Sequence, residues 1–143
     1  MQLNPTLIFN GNTEEALDYY SSALDGTVTI ARYKDAPPGM GAEPAFGDKV
    51  MYGSLVTPFG TVSAMDAPPG REGTPGTNFG ISVVADCEAG AEHAFNVLSA
   101  GGQTLMPFEK TFFAEKFGMT VDKFGIRWLI NYRPADVSST APA

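Results

Sequence analysis

Val56-Thr57-Pro58-Phe59-Gly60 and Val121-Asp122-Lys123-Phe124-Gly125 follow one pattern, a valine, two polar or turn-forming residues and a Phe-Gly pair. Each pattern stands between two runs of β-forming residues. Lys49 to Val56 and Thr61 to Asp66 flank the first, and Lys116 to Val121 and Gly125 to Tyr132 form around the second. Pro or Asp early in the turn and Gly at its end suit a tight hairpin, because Gly tolerates the backbone angles that close it.

The segments upstream of the two hairpins also repeat. Leu3 to Phe9 is a short apolar run closed by Asn10-Gly11-Asn12, the signature of a strand followed by a turn. Asn12 with Glu15 three residues later forms a capping-box pattern, and Ala16, Leu17, Tyr20 and Leu24 recur at helical spacing until Asp25-Gly26. The spacing predicts a helix over Thr13–Leu24. Thr27 to Tyr33 alternates as a strand with Val28 and Ile30 on one face, and a Pro/Gly-rich loop covers Asp35 to Gly47.

After a second loop, Ala67 to Gly76, the order starts again. Phe79 to Val84 reads as a strand. Asp86 is placed to cap a helix from Cys87 to Ala100 that buries Ala91, Phe95 and Leu98 before Gly101-Gly102 ends it. Gln103 to Phe108 reads as the next strand. The helix-ending glycines Gly26 and Gly101 fall in register between the halves, so element order, helix stop and hairpin agree. The expectation is an α+β chain of two tandem βαβββ modules, about 3–66 and 78–132, in one domain spanning 1–133. The small and polar tail, 134–143, is expected to be disordered.

Composition excludes several function classes. Sixteen acidic against nine basic residues give a formal charge of -7, which repels nucleic-acid backbones and anionic lipid heads. No apolar stretch approaches the length of a membrane span, and the N-terminus lacks a secretory pattern, so a cytoplasmic protein is expected. The single cysteine, Cys87, excludes an internal disulfide framework and reads as a small helix residue.

Several pieces resemble the PhnB-like branch of the vicinal oxygen chelate superfamily, which contains glyoxalase I, bleomycin-resistance proteins and extradiol dioxygenases. They are Phe9 to Asn12 with Glu15-Ala16-Leu17 and Tyr19-Tyr20, Asp48 to Met51, Asn78, Ile81 to Val83, Met106-Pro107, Thr111 to Ala114, Phe117-Gly118, and Asp122 to Ile126. The resemblance implies strands curled into a cup as one mixed sheet, and a homodimer. In its metalloenzyme members His and Glu ligands come from the first and last strands of each module. The corresponding strands here hold no His or Glu, Asp66 is their one acid, and the lone His93 is mid-helix. Where many PhnB-like sequences carry His after Val-Met, this chain has Tyr52.

The expectation is therefore a small-molecule binder with no metal and no cofactor. The alternative is a lyase or isomerase of the same superfamily that uses a divalent metal or acid/base residues. Tyr52, Asn78, Phe112, Phe113 and Trp128 are the ligand-binding candidates, combining aromatic walls with a few polar groups. Glu109, Lys116 and Arg127 form a weaker polar set, and Asp122 reads as turn chemistry.

Overall fold

The computed structural model describes residues 1–37 and 44–134, so 38–43 of the first loop and the tail at 135–143 lie outside the described residues. The elements run β1 (Thr6–Phe9), α1 (Thr13–Leu24), β2 (Thr27–Arg32), β3 (Val50–Thr57), β4 (Gly60–Asp66), β5 (Ile81–Ala85), α2 (Glu88–Ser99), β6 (Gln103–Glu109), β7 (Lys116–Val121) and β8 (Arg127–Tyr132). Two βαβββ modules result, with contact boundaries at Met1–Thr74 and Pro75–Ala143. Each builds a mixed four-stranded sheet, in order β1-β4-β3-β2 in the first and β5-β8-β7-β6 in the second. In both sheets the first strand runs parallel to the last, and the other pairs are antiparallel.

In the first module the helix covers one face of the sheet. Leu7, Phe9, Leu55, Val62 and Ala64 are buried together with Ala16, Leu17, Tyr20 and Leu24 of α1. Full burial of a side chain such as Leu17 or Leu55 stabilises the fold by roughly 1.5–3 kcal/mol. The helix lies close because Gly53 has no side chain: a Cβ there would stand 2.7 Å from Leu17 Cδ1. In the second module Ile81, Val83, Trp128 and Ile130 are buried with Ala91, Phe95 and Leu98 of α2. Gly118 does there what Gly53 does in the first, since its Cβ would meet Phe95 Cε2 at 2.7 Å and Phe108 Cα at 2.9 Å.

The hairpins form as the repeat implies, by two routes. Thr57 Oγ1 accepts hydrogen bonds from the Phe59 and Gly60 amides at 3.0 and 3.1 Å. In the second hairpin Asp122 Oδ1 accepts from the Phe124 and Ile126 amides at 2.8 and 3.0 Å, and Gly125 takes the left-handed angle, φ 89°. Asp122 thus has the local turn role expected of it.

The helix ends depart from the sequence reading. Asn12 and Cys87 occupy the N-cap positions, and neither side chain caps, so the Asn12–Glu15 box is absent and Asp86 is not the cap of α2. The left-handed residue closing α1 is Asp25, φ 54°, rather than Gly26; in the second module it is Gly101, φ 78°. Gly26 is required for close approach instead, because a Cβ there would lie 2.5 Å from Leu55 Cδ1. Its structural counterpart is Gly102, also one residue ahead of its strand, where a Cβ would collide with the Val121 carbonyl oxygen. Among the described residues no helix is long and apolar enough to cross a membrane.

Candidate functional site

Each sheet has a face turned away from its helix. Strand alternation and register assign Thr6, Ile8, Tyr52, Ser54, Ser63 and Met65 to this open face in the first module. In the second, Phe117, Met119, Arg127, Leu129 and Asn131 share it, with Phe117 directly opposite Asn131.

The second open face pairs an aromatic row with unmet polar groups. Thr111 to Ala114 forms a turn closed by the Thr111 amide donating to the Ala114 carbonyl at 3.3 Å. That turn carries Phe112, fully exposed, and Phe113, half-exposed. The Phe113 ring lies edge-on to Phe117 at 5.0 Å and to Phe112 at 5.2 Å, geometry that aromatic pairs favour. Across from Phe117, Asn131 Oδ1 is buried with no hydrogen-bond partner, as is Arg127 Nε four residues earlier on the same side of β8. A side chain at Gly80 would crowd Leu129 and Arg127, with its Cβ 2.7 Å from Leu129 Cδ1, so the glycine lets these two pack directly against the backbone.

The structure distributes the predicted residues unevenly. Phe112 and Phe113 come together with Phe117. Asn78 is exposed in the segment that leads into β5. Tyr52 is exposed on the open face of the other module's sheet. Trp128 lies on the opposite side of its sheet, wholly buried in the layer with Phe95 and Ile130, and its indole Nε1 donates to Asp122 Oδ2 at 2.8 Å. Its location is the packed core because the more apolar side of β8, Trp128 and Ile130, is the side that the helix covers. The polar trio also separates: Lys116 pairs with Glu88 of α2 at 2.9 Å, which leaves Arg127 on the open face. That ion pair holds the Lys116 ammonium above its ordinary value. Arg127 belongs to the polar set expected from the sequence, whereas Asn131 is not among the expected residues, although it follows Arg127 and Leu129 at two-residue spacing on one side of the strand.

The acid at the end of β4 is fully engaged. Asp66 is buried, and its Oδ1 accepts from the Gly11 amide at 3.0 Å, the Thr13 amide at 3.1 Å and Thr13 Oγ1 at 2.8 Å. Its Oδ2 accepts from the Val50 amide at 2.9 Å, and its carbonyl from Tyr33 Oη at 2.8 Å. Asp66 is therefore the cap of α1, supplied from the far end of the module. Burial, then the Asp66 charge, raise the Tyr33 phenol above its ordinary value.

The superfamily's metal needs several convergent donors, and the donor set here does not fit. The four strands that would supply them carry Asp66 alone among acids and histidines, and N–H and O–H donors occupy both its oxygens. Among the described residues no group of three His, Cys, Asp or Glu could hold a metal ion.

Residues 1–131 match the family model described as 3-demethylubiquinone-9 3-methyltransferase. The chain belongs to this family. Protein YjdN of Escherichia coli K12, 29% identical, covers 92% of the chain and 95% of its own length. The crystal structure of protein PA1353 from Pseudomonas aeruginosa is 36% identical with a TM-score of 0.83, covering 94% of this chain and 98% of that one. A putative 3-demethylubiquinone-9 3-methyltransferase, PhnB protein, from Bacillus cereus is 25% identical with a TM-score of 0.71, covering 93% and 100%. A glyoxylase/bleomycin resistance protein/dioxygenase domain from Frankia sp. EAN1pec shares the fold at 16% identity, with a TM-score of 0.62 over 92% and 96% of the chains. This PhnB-like protein therefore has the glyoxalase-like α+β fold. The family description names a methyl transfer, yet among the described residues the strands flanking α1, β1 and β2, lie at opposite edges of their sheet, unlike the neighbouring parallel strands of a dinucleotide-type βαβ unit. Here β1 pairs with β4, and the amides at the start of α1 are taken by Asp66.

Proposed function

We propose that this PhnB-like protein binds a small aromatic molecule on the open face of its second sheet, without a protein-bound metal. The observation carrying this reading is the unmet Asn131 Oδ1 directly opposite Phe117 of the Phe113–Phe117 row. A buried polar atom left without a partner costs about 1–3 kcal/mol, so a ligand that donates to Asn131 Oδ1 recovers that cost. Apolar walls with few polar groups are the usual make-up of small-molecule sites. The complementary ligand has a flat apolar body and a donor for the amide oxygen.

Phe112 and Asn78 extend this surface, and Tyr52 offers a phenol on the other module's open face. Trp128 supports β8 from behind. Homodimeric assembly, which the resemblance implies, belongs to the same reading and is tested by light scattering.

The test uses 2-quinolinone, a bicyclic lactam with one donor and one acceptor, and ligand-observed NMR on chelator-dialysed protein. The expected result is binding that persists without metal and weakens at least tenfold in Asn131→Leu and in Phe113→Ala. Binding indifferent to both substitutions would remove the proposed surface. A stoichiometric divalent metal found by elemental analysis, together with loss of binding on chelation, would remove the metal-free part.

A further inference from the structure

Asn10-Gly11 closes β1 and is the one Asn-Gly pair in the chain. The pair carries a covalent chemistry of its own. An asparagine side-chain amide is open to attack by the backbone nitrogen of the next residue, and glycine, without a Cβ, is the least obstructed attacker. The reaction balances with water alone. The Gly11 nitrogen gives its proton to hydroxide and bonds to Asn10 Cγ, while the Cγ–Nδ2 bond breaks and Nδ2 leaves as ammonia with a proton taken from water. A further water opens the cyclic imide at either carbonyl, which leaves aspartate or isoaspartate.

The fold ties down both reacting groups. The Asn10 amide is clasped to Gly73: Nδ2 donates to its carbonyl at 2.9 Å and Oδ1 accepts from its amide at 3.0 Å. Ring closure needs this amide to turn its face to the Gly11 nitrogen, a rotation that both bonds resist. Gly11 is held as well, its amide donating to Asp66 Oδ1 at 3.0 Å and its carbonyl accepting from Lys49 Nζ at 3.0 Å. A Gly11 nitrogen that lost its proton would stand as an anion against the buried Asp66 carboxylate, so the attacking form is disfavoured.

The clasp is the weaker restraint. Asn10 is exposed and both of its bonds to Gly73 lie at the surface, whereas the bond from Gly11 to Asp66 is part-buried. Exposed bonds of this kind open locally at far less cost than global unfolding. While closed, the clasp fastens the strap 67–73 to the end of β1. The other end of the strap is fixed by the Ala67 amide, which donates to the Phe9 carbonyl at 2.7 Å.

We infer that Asn10 is a modification site, a deamidation switch that reacts only from the open clasp and does not close again once it has reacted. In the aspartate product a carboxylate oxygen faces the Gly73 carbonyl where an N–H stood, so two acceptors oppose each other. Isoaspartate goes further, because it inserts a Cβ carbon into the main chain between residues 10 and 11 and shifts the Gly11 amide away from Asp66. The strap is then freed at its Gly73 end, and the turn before α1 loses its tie to β4.

The test follows Asn10 in the full chain by peptide mass spectrometry, with isoaspartate resolved by chromatography, in mildly alkaline buffer with and without denaturing urea. Conversion is expected in urea and at least tenfold slower in the native protein. Amide exchange of Gly73 gauges clasp opening independently, and the slowing of deamidation should be no smaller than the protection of that amide. Gly73→Pro removes the donor to Oδ1 and should speed native conversion at least tenfold, with circular dichroism reporting that the variant is folded. The purified isoaspartate form should exchange its Gly11 amide at least tenfold faster than the parent. No conversion in urea overturns the inference, as do equal rates in urea and native buffer. Slowing smaller than the Gly73 protection, or a folded Gly73→Pro with the parent's rate, overturns it too, because the reaction would then bypass the clasp. If Gly73→Pro does not fold, the comparison with Gly73 exchange decides alone, since it needs no variant. An isoaspartate form that keeps the parent's Gly11 exchange overturns the switch.

Discussion

Trp128→Ala separates a packing role from a ligand-contact role. The indole is wholly buried between β8 and α2, and truncating a buried Trp to Ala costs about 3–5 kcal/mol from lost transfer energy and the cavity left behind. The substitution also strips Asp122 Oδ2 of its Nε1 donor, and a buried acceptor without its partner adds about 1–3 kcal/mol. The expected loss is about 4–8 kcal/mol, a large share of the roughly 5–15 kcal/mol that holds a domain together. Trp128→Phe keeps most of the ring volume and loses mainly the donor, so about 2–3 kcal/mol is expected from it. Urea unfolding followed by far-ultraviolet circular dichroism reads both, because the chain's one tryptophan is the residue removed. Trp128→Phe should bind 2-quinolinone as the parent does. A Trp128→Ala protein within about 1 kcal/mol of the parent that had lost ligand binding would refute the assignment of this side chain to the core.

Asp66→Asn should destabilise the first module by about 3–5 kcal/mol, because an amide NH2 would face the Val50 N–H and the bonds at the start of α1 would lose their charge. Denaturant unfolding and amide exchange at Thr13 check this, and a change under 1 kcal/mol would show that water replaces the carboxylate with about equal effect. The Tyr33 phenol, raised in the folded state, contributes stability that is complete below its unfolded value of 10.0 and is lost as pH rises through the folded value. Stability should therefore fall in alkali above about pH 10 in the parent and less in Tyr33→Phe, as read by unfolding midpoints and phenolate absorbance.

The hairpin repeat led to the right architecture because a turn is a local object. Thr57 to Gly60 and Asp122 to Gly125 carry their own hydrogen-bond donors, acceptors and permissive angles. The match in fact extends further back than the valines: Tyr52-Gly53 and Phe117-Gly118 occupy the same place ahead of them, with the glycine beneath the helix and the aromatic on the open face. The bounds of α1 and β7 were legible for the same local reason. What failed depended on distant partners. Asn12 has the right chemistry for a cap, but a carboxylate from β4 reaches the amides first, and sequence spacing carries no trace of that encounter. The alternation on β8 grouped Trp128 with Ile130 and left open which side faced the helix. The composition of the two sides, Trp and Ile against Arg, Leu and Asn, held the answer.

The Asp66 cap also bears on vectorial synthesis. The amides at the start of α1 leave the ribosome well before the carboxylate that satisfies them, and neither Asn12 nor any other nearby side chain substitutes for it. A nascent chain that stops at Met65 holds every residue of the helix and lacks its stopper, so α1 matures only when β4 emerges and docks beside β1 and β3. The first half-sheet and its helix are thus committed in one step, at the last residue of the last strand.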